Sequence, residues 1–172
     1  NCKQGKPTLC LFEYDGTNGP LKTLSGEKLM QAMACGAFAE KVVVDKSQVV
    51  KISKTISYET AALMACGVIT GVGAVVNAAK IKPGQDVVVI GAGGVGLNAI
   101  QGARLAGARR ILAVDVSDEK LKIAIEFGAT DGVLTTRGSP WKLAKEKLGG
   151  GADAVFVSVG VASVYDTAPL YL

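Results

Sequence analysis

The chain has no histidine among its 172 residues, so any imidazole that a metal site or a proton relay requires would have to come from outside it. Aromatic residues make up only 5%. Cysteine is also sparse: Cys2, Cys10, Cys35 and Cys66 are too few and too unevenly spaced for a disulfide scaffold in a chain this long, which points to a reducing compartment. The first ten residues lack the basic start, apolar core and small-residue cleavage site of a secretory signal. Asn1 is not an initiator, so the reading expects the true N-terminus to be missing. Clustered charge is absent as well. The 19 Lys and Arg exceed the 15 Asp and Glu, but the excess of +4 is scattered singly, which argues against a nucleic-acid partner. Residues 60–79 carry no charge at all and include the spacing Gly67-x-x-x-Gly71. They are built of Ala, Gly and Thr and contain Asn77, so a helix in a folded core is expected rather than a membrane span.

What the chain has in quantity is glycine, 22 residues, and hydrophobic residues, 49%, enough for one domain with a core or one domain and part of another. Residues 1–30 carry Pro7, Gly16, Gly19, Pro20 and Gly26 without a sustained apolar period and read as irregular lobe or loop. Residues 38–44 and 48–52 are rich in β-branched side chains and predict two short strands with a turn at 45–47. Ser57 is placed to cap a helix running to about Ala65, and a second helix is expected over 68–79.

From Lys82-Pro83-Gly84-Gln85 onward the pattern alternates. Strands are predicted at 86–90, 111–115, 132–134 and 154–159, with helices at 94–106, 118–127 and 140–148 between them. Strand, helix, strand at this spacing predicts an α/β fold: a parallel, doubly wound Rossmann sheet, of which four strands of an expected six are visible.

The strongest chemical signal is Gly91-Ala92-Gly93-Gly94-Val95-Gly96, which follows a predicted buried strand and opens a predicted helix. Gly91 permits the tight turn, Gly93 lets backbone close on a pyrophosphate, and Gly96 lets the helix pack on the strand. The helix start offers unpaired N–H groups and partial positive charge to the phosphates. Asp115 ends the second strand about 20 residues further on, where a carboxylate accepts hydrogen bonds from an adenosine ribose. It also repels a 2′-phosphate, and Val116-Ser117 bring no arginine beside it, so NAD is favoured over NADP.

These residues and their surroundings closely resemble the zinc-type alcohol dehydrogenases of the medium-chain dehydrogenase/reductase superfamily. The resemblance is carried by GAGGVGLNAIQGARLAGARRILAVD at 91–115, GAFAE at 36–40, VVVD at 42–45, ACGVITGVGAVV at 65–76 and KPGQDVVVIG at 82–91. It implies that residues 1–56 are the end of a β-rich, GroES-like catalytic domain with part of a structural-zinc lobe, and that residues 57–172 are a truncated NAD-binding domain. Cys66 then matches a ligand of the catalytic zinc, Thr70 a residue beside the nicotinamide, and Val95 a residue packed on its ring. Lys120 matches a lysine near the adenosine ribose, while Ser158, Val159 and Gly160 match a segment lining its adenine side. Cys2 and Cys10 resemble the last two cysteines of the structural-zinc lobe. Cys35 matches no ligand. Lys41 stands where an aromatic residue is common in the family.

The resemblance implies a cytoplasmic, homo-oligomeric oxidoreductase that moves hydride between NAD and an alcohol, with an aldehyde or ketone as the other substrate and with zinc as a second cofactor. The fragment alone is expected to be inactive. Two alternatives stay open: a zinc-free quinone or enoyl reductase on the same fold, and a non-catalytic nucleotide-binding module.

Overall fold

The computed structural model describes residues 19–30, 35–136 and 138–172, with the side chain of Ser47 left aside. The chain forms two compact units, Asn1–Ser53 and Lys54–Leu172.

In the first unit the described residues hold a tight reversal. Lys22 and Lys28 form an isolated antiparallel bridge. The turn between them is closed by the Thr23 amide donating to the Glu27 carbonyl at 2.8 Å and by the Glu27 amide donating to Thr23 Oγ1 at 3.0 Å. Gly26 takes φ +89°, which the turn requires and a side chain would oppose. The two strands expected at 38–44 and 48–52 are not formed; the only regular element there is a 3-10 turn at Lys46–Gln48, in place of the expected turn at 45–47. β-branched residues favour a pleated surface only when a neighbouring strand completes the ladder, and none does so among the described residues. Val43 and Val50 stand largely in solvent as a result.

The second unit opens with α1, Tyr58–Ala79, one run of helix where the sequence pattern predicts two. Ser57 caps it as expected, its hydroxyl accepting from the Thr60 amide at 3.3 Å. Gly67 alone does not break it; the helix instead widens to π winding at Met64–Val68 and again at Ala74–Ala79, around an α turn at Ile69–Gly73. Lys80 then ends it in the left-handed conformation. By length and composition α1 is apolar enough to cross a membrane, yet Val75 and Gly71 are buried against the rest of the unit.

Then come β1 Asp86–Ile90, α2 Gly94–Leu105, β2 Arg110–Asp115, α3 Asp118–Glu126, β3 Asp131–Leu134, α4 Pro140–Leu148, β4 Ala154–Val157 and α5 Ala162–Thr167. All pairings are parallel, in the order β3-β2-β1-β4, with Val88 opposite Leu112 on one side and Val155 on the other. β1 is buried along its whole length because both its neighbours and both its faces are covered. Val87 and Val89 face a cluster with Ala99, Ile100 and Ala103 of α2, Leu121 and Ala124 of α3, and Val75 of α1. Val88 and Ile90 face the opposite cluster, with Ala144 and Leu148 of α4 and Tyr171. Helices therefore cover both faces, the doubly wound arrangement predicted from the alternation. α5 and the 3-10 turn Ala168–Tyr171 were not foreseen; they carry Tyr171 into the second cluster, where its carbonyl accepts from the Ala152 amide at 2.9 Å.

Asp86 opens β1 from a buried position, and Arg109, at the entrance to β2, grips it in two-pronged fashion: Nε to Oδ1 at 3.0 Å and Nη2 to Oδ2 at 2.5 Å. The Arg109 hydrogen bond holds the Asp86 carboxyl below its ordinary range, although burial pulls the other way. With the folded value depressed, the pair's contribution is complete above the unfolded carboxyl's value of about 3.9 and drains away as pH falls below it. Asp86→Asn is expected to cost about 2 kcal/mol at neutral pH, and the gap to the parent should close in acid; urea unfolding at both pH values checks this. Burial pushes the Tyr171 phenol up to about 12. The fold thus holds that proton, and the associated stability is lost as pH rises from about 10 toward that value. Tyr171→Phe should remove the alkaline loss, which denaturant unfolding at mildly and strongly alkaline pH would show.

Candidate functional site

The order β3-β2-β1-β4 places a switch point at β1: the chain leaves it toward β2 and returns on its other side as β4. The carboxyl ends of those strands at a switch point are the usual ligand position in an open parallel sheet. The predicted glycine segment begins at that end of β1.

Gly91 has φ +97°, and a Cβ there would press on Val159 Cγ1 and Ser158 Oγ, so two separate demands exclude a side chain. Its amide continues the ladder to the Val114 carbonyl at 2.8 Å. Gly96 sits in the first turn of α2, and a Cβ there would strike the Gly91 carbonyl oxygen. The turn is therefore closed by glycine meeting glycine. Gly93 and Gly94 differ in kind: a Cβ at either would meet nothing within 4 Å. They are not demanded by packing, and at Gly93, the N-cap of α2, no side chain caps the helix. The open start of a 12-residue helix presents its first amides and the positive end of its dipole to that space. A pyrophosphate fits where a side chain at Gly93 would stand.

Asp115 ends β2 beside this loop and is 7% exposed. Its Oδ2 accepts from the Ala92 amide at 2.8 Å, and its Oδ1 accepts from the Ser117 amide at 3.0 Å. Ser117 in turn caps α3, its hydroxyl accepting from the Lys120 amide at 3.4 Å. Lys120 lies in the first turn of that helix with its side chain in solvent. On the other flank, Ser158 follows β4 directly. Its hydroxyl donates to the Gly91 carbonyl at 2.8 Å and lies 3.2 Å from that of Ile90. Val159 is half-buried beside Gly91, and Gly160 is exposed with no neighbour that a Cβ would meet.

α1 brings the remaining predicted residues to the same end of α2. A Cβ on Gly71 would collide with the Val95 carbonyl oxygen and would lie 2.7 Å from the Ala99 amide nitrogen, and Gly67 faces Asn98. Asn98 is tied to the loop by its amide donating to the Gly94 carbonyl at 2.8 Å. Cys66 and Thr70, each one residue before these contacts, are both exposed, and Cys66 lies in the first π stretch. Cys66 and Thr70 thus each precede a glycine of α1 that packs on α2, and Lys120 stands in the first turn of α3, which follows β2.

Zinc is a different matter. Among the described residues no three His, Cys, Asp or Glu side chains are grouped for a metal, and Cys66 is the one proposed ligand that the structure describes. One thiolate does not make a zinc site, so the residues described here do not fit the ion. Cys2 and Cys10 lie outside the described residues. Cys35 is a half-buried free thiol in the first unit.

Two participants escaped the sequence pattern. Ala92 contributes only its amide, which no residue type announces. Asn98 sits four residues into α2, a position that reads as plain helix surface.

The family model described as "Zinc-binding dehydrogenase" matches residues 94–172. The chain is 40% identical over 139 residues to an S-(hydroxymethyl)glutathione dehydrogenase of Synechocystis sp., and 39% identical over 137 residues to one of Escherichia coli. Each alignment covers 76% of this chain and 37% of the relative, so the chain spans little more than a third of their length. Among solved structures, an alcohol dehydrogenase zinc-binding domain protein from Burkholderia ambifaria matches with a TM-score of 0.80 and 32% identity, over 87% of this chain and 40% of that one. Benzyl alcohol dehydrogenase from Acinetobacter calcoaceticus matches with a TM-score of 0.67 and 35% identity, over 72% of this chain and 34% of that one. A nicotinamide cofactor and zinc are what this kinship implies, and the open turn at Gly93 suits the first of them. Over little more than a third of their length, the chain is similar to zinc-type alcohol dehydrogenases of the medium-chain dehydrogenase/reductase superfamily.

Proposed function

We propose that the chain is the nucleotide-binding portion of an oxidoreductase that passes hydride between NAD and an alcohol, with an aldehyde or ketone as the other substrate. The observation that carries this reading is the turn from β1 into α2, where Gly93 leaves an open place before an uncapped helix start and Asp115 stands at its side. A bound nicotinamide supplies the hydride acceptor or donor. The chain's own residues bind and orient it: the amides opening α2 meet the pyrophosphate, Asp115 meets the adenosine ribose, and Ser158, Val159, Gly160 and Lys120 border the adenosine side. Val95 and Thr70 flank the nicotinamide.

Asp115 also favours NAD over NADP. Each of its oxygens already accepts one backbone amide but keeps a second lone pair for a ribose hydroxyl. A 2′-phosphate would bring negative charge to the same place and find no arginine in Val116-Ser117 to receive it.

In an intact protein of its relatives' length, zinc would be bound through Cys66 together with ligands beyond the described residues, and Cys2 and Cys10 would belong to a second, structural zinc. A histidine ligand would have to come from beyond this chain, which has none. The zinc-free reductase reading rests on the isolation of the Cys66 thiol among the described residues. Metal analysis of the intact protein separates the two: bound zinc, of which one equivalent is lost with Cys66→Ser, supports the alcohol dehydrogenase, and a metal-free active enzyme supports the reductase. The proposed division is residues 1–56 from the catalytic domain and 57–172 for the nucleotide. The setting proposed is cytoplasmic and homo-oligomeric, without nucleic-acid or membrane partners. Scattered charge supports it, as does the seating of Gly71 and Val75 of α1 inside the unit.

Two outcomes are expected. Titration of the chain with NADH and NADPH should show NADH bound more tightly, and Asp115→Ala should shift that preference toward NADPH by about tenfold, roughly 1.4 kcal/mol. An unchanged ratio would remove Asp115 from cofactor choice. Gly96→Ala drives a methyl into the Gly91 carbonyl and should weaken NADH binding by more than about tenfold, read in the same titration.

A further inference from the structure

Two of the side chains beside the glycine loop end on one and the same peptide group. The carbonyl of Gly91 and the amide of Ala92 are the two ends of a single planar unit. Ser158, from the end of β4, donates its hydroxyl proton to that carbonyl at 2.8 Å. Asp115, from the end of β2, accepts from that amide at 2.8 Å through Oδ2. Behind the carbonyl stands Gly96, with no room for a Cβ between them.

We propose that Ser158 and Asp115 form a clamp on the Gly91–Ala92 peptide, with both acting as positioning residues that hold the loop in its pyrophosphate-binding shape. Gly91, at φ +97°, is a residue for which many backbone conformations are open. Glycine alone permits the turn but does not choose it. A donor on one edge of the peptide plane and an acceptor on the other do choose it, because rotating the plane by half a turn would set the carbonyl against the carboxylate and the amide against the hydroxyl. Since C=O and N–H point in opposite directions across the plane, holding both fixes its orientation. The following amides of Gly93, Gly94 and Val95 inherit their direction from it. The residue proposed to select the ribose is thereby one half of the device that shapes the phosphate loop, and Ser158 serves the loop rather than only lining the adenosine side. This inference rests on the nucleotide-binding reading.

The test compares ADP-ribose, which carries the pyrophosphate, with adenosine, which does not, on the whole 172-residue chain. Ser158→Ala should weaken ADP-ribose about three- to tenfold, the worth of one hydrogen bond, and weaken adenosine severalfold less; Ser158→Thr, which keeps the hydroxyl, should recover the loss. In parallel, amide exchange without ligand should find the Ala92 N–H protected in the parent and several-fold faster in Ser158→Ala, since a peptide held at one end turns more freely. Equal loss for both ligands, with a lowered melting temperature, would mark Ser158 as merely structural and overturn the clamp. Unchanged ADP-ribose binding and unchanged Ala92 exchange would overturn it as well. If the parent binds no ADP-ribose, the nucleotide reading itself falls and takes this role with it, whereas failure of the variants alone leaves that reading standing.

Discussion

The second unit depends on one constraint: β1 must end, and the backbone must turn at once into a helix, in the middle of a sheet whose strands are packed on both sides. Val87 through Ile90 leave no space for an excursion. The turn is made by a glycine in a conformation closed to other residues, and the helix it opens is drawn close by a second glycine against the carbonyl of the first. Everything attributed to the site follows from that close approach. The helix start is brought to the sheet edge with its amides facing outward, and Asp115 and Ser158 arrive from the strands on either side because those strands are the hydrogen-bonded neighbours of β1.

The same economy of space recurs one layer out. Gly71 and Gly102 let α1 and α2 pack with backbone almost in contact, the Gly102 position lying 3.1 Å from Val72 Cα were a Cβ present. Small residues in α1 thus have a packing reason. Cys66 lies in the first π stretch and Thr70 in the α turn after it, and the helix runs through both without a break. At the opposite end of the sheet, Arg109 and Asp86 neutralise one another where β1 and β2 begin, away from the site.

Much of this was readable beforehand. The alternation from residue 86 onward gave four strands and the helices between them, with β1 and α4 matching their predicted bounds and the others differing by one or two residues at their ends. The glycine segment and Asp115 were readable for the same reason: they are local demands, a φ value, a missing Cβ, a carboxylate at a strand end. Two things went otherwise. The β-branched runs at 38–44 and 48–52 carried strand propensity but formed no ladder, since a strand is completed by a partner that propensity cannot supply. The break expected near Gly67 was absorbed by wider winding, because a single glycine costs a helix only about 1 kcal/mol.

What the sequence determined by itself, then, is the kind of fold, the place of the glycine turn and the identity of the acid beside it, all encoded in local residue patterns. What only the tertiary structure decided is which backbone groups those residues hold. Asp115 and Ser158 are 43 positions apart in the chain, and only the parallel register of β2, β1 and β4 brings them to opposite ends of one peptide. A backbone amide has no letter in the sequence, and the partner that fixes it is settled by strand order.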